Sequence, residues 1–343
     1  MAEAVSGERS REDVRPLPSG EFAAAAQAIL DAVNGVIDGK QETAATALMV
    51  LLAQGHLLLE DVPGVGKTML AKTLARAVHG SVSRIQFTPD LLPSDVTGVS
   101  MYNQATGTFE FRPGPVFANL VIGDEINRAS AKTQSALLEC MEENQVSVDG
   151  KIYLLSAPFM VLATQNPVEM EGTFPLPEAQ RDRFMARIAM GYPDRAAELD
   201  MLQAHQNSSP LERLKPVVDT AMLRRMISTV HAVHVSDPVR EYVVDLGRAT
   251  REHPEITLGA SPRAMLHVLR AAKARAALGG QEFVLPDDVA GVAHSVLSHR
   301  LMVDRRAALN GRDAGAILKE ILLRLPVDPA AGRESARRAA GVR

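Results

Sequence analysis

Apolar positions along the chain follow two different periods. Short strand-like runs lie at residues 55–60, 83–88, 119–124, 159–164 and 186–191, spaced by segments of helical periodicity such as 129–143. Alternation of this kind predicts a parallel sheet with helices on both faces. Two further helical stretches, within 21–53 and separated by Asp38-Gly39, precede the first strand. After Tyr192-Pro193-Asp194 the strand signal stops, and helical periodicity continues at 195–206, 221–233, 237–252, 262–278, 286–302 and 313–325. The pattern therefore predicts an α/β domain over 21–192 and an α-helical domain over 193–328. Residues 1–20 mix Glu, Arg, Ser, Gly and Pro without an apolar period, which predicts a disordered tail. Residues 329–343 form a basic C-terminal tail, with four Arg and one Glu among its last thirteen residues.

Two places in the first domain carry a period of two rather than a helical one. Residues 93–115 contain Val-Ser-Met-Tyr and Thr-Phe-Glu-Phe around a Gln-Ala-Thr-Gly turn, and 146–154 alternate around Asp149-Gly150. Both predict hairpins. The first would expose Met101, Tyr102, Phe109 and Phe111, as a partner-gripping element would, unless they pack on the core of the same chain.

Composition narrows the function without naming it. A chain of 343 residues is comfortable for two domains, and its net charge of -4 gives no bulk attraction to nucleic acid or to an anionic membrane. With 4% aromatic residues it also lacks a stacking surface for single strands. The single cysteine, Cys140, excludes an internal disulfide and suits a reducing cytosol. No apolar run approaches the length of a membrane span, so a soluble, cytoplasmic protein is expected.

The chemistry concentrates where predicted strands end. Asp61-Val62-Pro63-Gly64-Val65-Gly66-Lys67-Thr68 follows the first strand and matches the phosphate-loop pattern G-x-x-x-x-G-K-[ST] at every fixed position but the first, where aspartate replaces glycine. Its glycines let backbone amides turn toward an anion, the helix that follows directs its positive end at the same point, and Lys67 adds a full charge. Pro63, Gly64, Val65, Gly66, Lys67, Thr68 and Met69 are the candidate ATP-binding residues. A plain glycine-bearing strand-to-helix turn is the rival reading. In "NLVIGDEINRA", Asp124 and Glu125 end a second strand, where Asp124 could hold Mg²⁺ together with Thr68 and Glu125 could activate water. Asn166, before Pro167, ends a third strand and could orient that water or simply start a turn. Arg183 and Arg263 are either solvated surface charges or cations that reach a γ-phosphate from outside the loop.

In this order the motifs resemble an AAA+ ATPase, and more narrowly the MoxR family. The similarity spans about residues 36–326 and is densest in "DEINRASAKTQSALLECMEENQVSVDGKIYLLSAPFMVLATQNPVEMEGTFPLPEAQRDRF". The resemblance implies that Lys67 and Thr68 are the Walker A pair, Asp124 and Glu125 Walker B, Asn166 sensor 1, Arg183 the arginine finger toward a neighbouring subunit, and Arg263 sensor 2. It implies ATP and Mg²⁺ as cofactors, and an AAA+ parallel sheet followed by a helical lid. It further implies a homo-oligomeric ring, expected as a hexamer, that remodels or matures protein clients, often proteins with von Willebrand factor A domains. The rivals are a nucleotide-gated scaffold with weak turnover and a nucleic-acid motor of the helicase or clamp-loading type.

Overall fold

The structure is a computed structural model in which residues 15–37, 39–61, 65–166, 174, 176–192, 195 and 210–325 are described. Helices α1 (Ser19–Asn34) and α2 (Gln41–Leu52) lead into β1 (Leu57–Glu60), α3 (Lys67–Ala77) and β2 (Val82–Gln86). A short α4 (Pro93–Thr97) opens the hairpin β3 (Gly98–Asn103) and β4 (Thr108–Pro113), followed by β5 (Leu120–Asp124) and α5 (Ala131–Glu143). The second hairpin, β6 (Gln145–Val148) and β7 (Lys151–Leu154), precedes β8 (Met160–Gln165), α6 (Glu178–Arg181) and β9 (Ala186–Ile188). Beyond it come α7 (Pro210–Arg213), α8 (Thr220–Ala232), α9 (Asp237–Glu252), β10 (Ile256–Leu258), α10 (Pro262–Leu278), α11 (Pro286–Leu297), β11 (Met302–Val303), α12 (Arg305–Leu309) and α13 (Ala314–Arg324).

The five-stranded sheet has the order β2-β5-β8-β1-β9, and each of its pairings is parallel. Successive side chains of a strand point to opposite faces, so an apolar run feeds two cores at once. Leu57, Leu59, Leu120, Ile122, Met160 and Leu162 face α1, α2 and α3. Leu58, Val121, Val161 and Ala163 face α5 and Phe184 on the other side. The first of these cores does not stop at the sheet domain. It continues without a break into Leu223, Met226, Leu246, Val268, Val292 and Ile321, so the two halves predicted from sequence share one apolar interior.

Several expectations need correction. The chain is ordered before residue 20: Leu17 is buried, its N–H donates to Thr229 Oγ1 at 2.7 Å, and α1 begins at Ser19. The strand expected over 186–191 ends at Ile188, and Gly191 turns away with φ 63°. Strands also return after residue 192, where β10 and β11 form an antiparallel pair; with three and two residues they are too short to display a period. The helix expected to reach residue 302 stops at Leu297, because the next turn directs His299 and Arg300 into the interior. The helix expected at 195–206 (Arg195 apart) and the basic tail lie outside the described residues. Both hairpins form around the anticipated turns, and Asp149 and Gly150 adopt the paired positive φ values, 50° and 73°, of a mirror-image two-residue turn. Among the described residues no helix is long and apolar enough to cross a membrane.

Gly98 starts the first hairpin with φ 98° and ψ 173°, a region only glycine occupies freely, and a Cβ there would lie 2.3 Å from the Arg112 carbonyl oxygen. Gly98→Ala should therefore lose at least about 1–3 kcal/mol of stability, read as a lowered thermal midpoint by circular dichroism. An unchanged midpoint would show that the hairpin root relaxes freely.

Candidate functional site

Three central strands deliver their last residues to one edge of the sheet. There Gly66, with φ 90°, closes the loop and α3 begins at Lys67. The Lys67 ammonium donates to the Asp61 carbonyl oxygen at 2.6 Å and approaches that of Gln165 at 3.5 Å, so it lies across the ends of β1 and β8. Thr68 Oγ1 donates to both Asp124 carboxylate oxygens, at 3.3 and 3.4 Å. Asp124 is buried and also receives the Thr164 hydroxyl at 3.3 Å and Arg84 Nε at 2.6 Å. A hydroxyl and a carboxylate this close are hard oxygen donors facing one point, which fits Mg²⁺ with most of its waters retained.

Glu125 sits just past β5 in the left-handed region, with φ 58°, and its N–H donates to Thr164 Oγ1 at 2.9 Å. Strained backbone of this kind persists only where the surroundings hold it, and it turns the Glu125 carboxylate toward Gln86 Nε2 at 2.9 Å and Arg128 at 3.3 Å. Asn166 is buried at the end of β8. Val65 is buried beside the loop and Met69 lies in the first turn of α3; Pro63 and Gly64 fall outside the described residues. The substituted Asp61 does not aim at this mouth. Its carboxylate accepts the Gly191 N–H at 2.5 Å, fastening the loop to the segment that leaves the sheet. Lys40 reinforces the same segment through the Met190 and Tyr192 carbonyls.

The two arginines are elsewhere, and they are together. Arg183 precedes β9 and Arg263 lies in the first turn of α10, yet both pair with Glu142 at the end of α5: Arg183 Nε lies 3.1 Å from one carboxylate oxygen and Arg263 contacts the other. They line a cavity of about 700 Å³ with His56, His267 and Arg270, at the edge where β1, β8 and β9 begin. Strands β1 and β8, of four and six residues and so about 13–20 Å long, separate the edge that carries the arginine pair from the edge that carries Lys67. Glu142 as the shared partner was invisible to sequence reasoning, being one acidic residue among several in "ECMEEN".

His56 anchors the floor of this cavity as a neutral ring. Its Nδ1 accepts the Val161 N–H at 3.0 Å, which leaves Nε2 to donate to the Met141 carbonyl at 2.9 Å. Burial lowers its pKa to about 4, with the Arg270 charge acting in the same direction. Burial, and then the charge of Arg300, lowers His267 to about 2, and His299 is shifted down for the same two reasons.

Comparison with known proteins shows the family to which the chain is similar. Residues 56–186 fit the model of the ATPase family associated with various cellular activities (AAA), and residues 248–321 fit that of the AAA lid domain. The chain is 50% identical to the uncharacterized protein YeaC of Bacillus subtilis, over 88% of this chain and 95% of that one. It is 41% identical to the chaperone MoxR1 of Mycobacterium tuberculosis (84% and 79% covered) and 34% identical to the protein MoxR of Paracoccus denitrificans (81% and 90%). A crystal structure of a candidate ATPase from Cytophaga hutchinsonii superposes with a TM-score of 0.85 at 39% identity, covering 90% of this chain and 97% of that one.

Histidines whose pKa is lower folded than unfolded make stability fall as pH drops, because the unfolded chain takes up protons the folded one refuses. From the ordinary histidine value of 6.5 down to the folded value of about 4, His56 alone removes up to about 1.4 kcal/mol per pH unit. Urea midpoints should decline already between pH 6.5 and 5, above the range in which carboxylates titrate. A flat profile there would contradict the neutral, buried rings.

Proposed function

The chain belongs to the MoxR family of AAA ATPases and hydrolyses ATP, and we propose that it does so in a ring whose catalytic sites are each built from two subunits. One observation carries this reading: the phosphate loop and the arginine pair occupy opposite edges of one sheet. No arginine side chain spans that distance, so Arg183 and Arg263 serve a second copy's nucleotide, and the Lys67 edge receives the arginines of another. A hexamer is the closure expected from the family.

In each site Lys67 and the amides before α3 hold the β- and γ-phosphates. Thr68 and Asp124 would hold Mg²⁺, which supplies charge neutralisation across the phosphates when bound. Glu125 accepts the proton of the attacking water as its oxygen bonds to the γ-phosphorus and the bond to the β-phosphate oxygen breaks. Asn166 orients that water from the neighbouring strand end. Gln86 and Arg128 hold the Glu125 carboxylate and so govern how readily it turns to the water.

Lys67→Ala should abolish nucleotide binding, whereas Glu125→Gln should keep affinity within about threefold and slow turnover at least about a hundredfold. Fluorescent-nucleotide titration and phosphate release separate the two losses, and near wild-type turnover by Glu125→Gln would remove it from the base role. Arg183→Ala subunits mixed with Lys67→Ala subunits should regain activity that neither has alone. Verified co-assemblies as inactive as their parents would argue against the shared site.

The work is directed at protein clients, and the hairpins are where clients are met. Tyr102 and Phe109 pair across β3–β4 with ring centroids 5.4 Å apart and stay exposed beside Met101, with Ile152 on the other hairpin. Phe111 instead turns inward, stacking on Tyr153 of β7 at 4.0 Å and 21° and so locking the two hairpins to each other. Among clients, proteins with von Willebrand factor A domains come first on family grounds. Replacing Gln104 to Gly107 by a Gly-Ser link together with Tyr102→Ala should leave basal ATPase activity within about twofold while client-stimulated turnover falls. Basal activity and assembly collapsing together would make the hairpin structural.

A further inference from the structure

The cavity-edge arginines are held by a buried network that the reaction scheme above does not use. Arg300, past the end of α11, has a side chain only 3% exposed. Its Nε donates to Asp182 Oδ1 at 2.8 Å, and its terminal nitrogens donate to the carbonyls of Asp182 at 3.0 Å, Phe184 at 2.5 Å and Met185 at 3.1 Å. These carbonyls bracket Arg183 on both sides. The second Asp182 oxygen, Oδ2, accepts the Ser261 hydroxyl at 2.9 Å, and Ser261 is the N-cap of α10, accepting the Ala264 N–H at 3.0 Å, two residues before Arg263. One turn along α10, His267 Nδ1 accepts from Arg300 at 2.6 Å. A single carboxylate and a single guanidinium thus join the segment bearing one arginine, the helix start bearing the other, and the end of a third element.

We infer that Asp182 and Arg300 are positioning residues for ATP hydrolysis in the neighbouring subunit, fixing Arg183 and Arg263 as one rigid pair. The physical case is the geometry of the guanidinium. Its planar fork holds four carbonyls, that of Val296 included, and a carboxylate at once, which a flexible lysine cannot reproduce, and burial forbids it from wandering. Desolvating such a group is costly unless every donor is used, so the network specifies one arrangement of the 182–185 segment against α10. Among the described residues neither contacts the phosphate-loop edge of its own chain; their effect is exerted through the two arginines.

This inference rests on the two-subunit reading of the catalytic site, and the experiment separates them. Asp182→Asn keeps the volume and removes the charge that opposes Arg300; Ser261→Ala cuts only the link to α10 and serves if the first variant does not fold. The expected result is at least a tenfold fall in kcat for phosphate release, with affinity for a fluorescent ATP analogue at the chain's own site within twofold of wild type. In an Arg183→Ala/Arg263→Ala background the same substitution should cause no further loss, and mixing the Asp182→Asn chain with Lys67→Ala subunits should restore turnover above either parent. Turnover within twofold of wild type in both variants, while Arg183→Ala/Arg263→Ala is inactive, would overturn the positioning role and leave the arginine reading intact. An equal loss in both backgrounds would overturn it as well, since the network would then act elsewhere. Wild-type turnover by Arg183→Ala/Arg263→Ala would remove the reading beneath.

Discussion

A parallel sheet with apolar side chains on both faces can display polar chemistry only at its two ends. Leu57, Leu58 and Leu59, like Leu120, Val121 and Ile122, leave no face of β1 or β5 to water. Functional groups are therefore sorted by strand direction: residues following the strands gather at one edge and residues preceding them at the other. Lys67, Thr68, Asp124, Glu125 and Asn166 belong to the first group, and Arg183 to the second. Burial that stabilises each leucine by roughly 1.5–3 kcal/mol thus also keeps the two groups at opposite ends of the strands.

How much of this is legible in sequence depends on the range of the interaction. The phosphate loop, the Asp124-Glu125 pair and the central strands are local patterns, each carried by consecutive residues and a single period. The Asp149-Gly150 turn is equally local, because two positive φ values demand those residue types. Arg300 gave no signal at all. Its partners in the 182–185 segment lie about 115–118 positions away, and an arginine after a helix looks like any solvated charge until the chain folds. The short pair β10–β11 and the stack of Phe111 on Tyr153 were hidden for the same reason: both are settled by tertiary packing, not by period.

Asp61 is instructive in a different way. An acid at the first position of a phosphate loop looks like a liability from sequence, where only its charge is visible. In the fold its carboxylate faces the Gly191 amide, and the charge is spent on the backbone that leaves the sheet. The shared interior makes the same point on a larger scale. Because α8, α10 and α11 pack into the core that also covers β1, the helical half cannot swing as a separate lid without opening apolar surface to water.

Glu142 has a consequence for the isolated subunit. Two guanidinium groups exposed at an edge would repel one another and collect stray anions from solution. Their common carboxylate neutralises part of that charge while the subunit is alone, and it does so loosely, since the side chains of all three residues remain 30–38% exposed. Ion pairs at that exposure contribute at most about 1 kcal/mol each, so under the two-subunit reading proposed above a triphosphate with several negative charges would outcompete the carboxylate for both arginines. In the proposed ring Glu142 would be a placeholder anion: it holds the arginines' outer surface until a more highly charged guest displaces it, and its return would ease that guest's release once charge is lost.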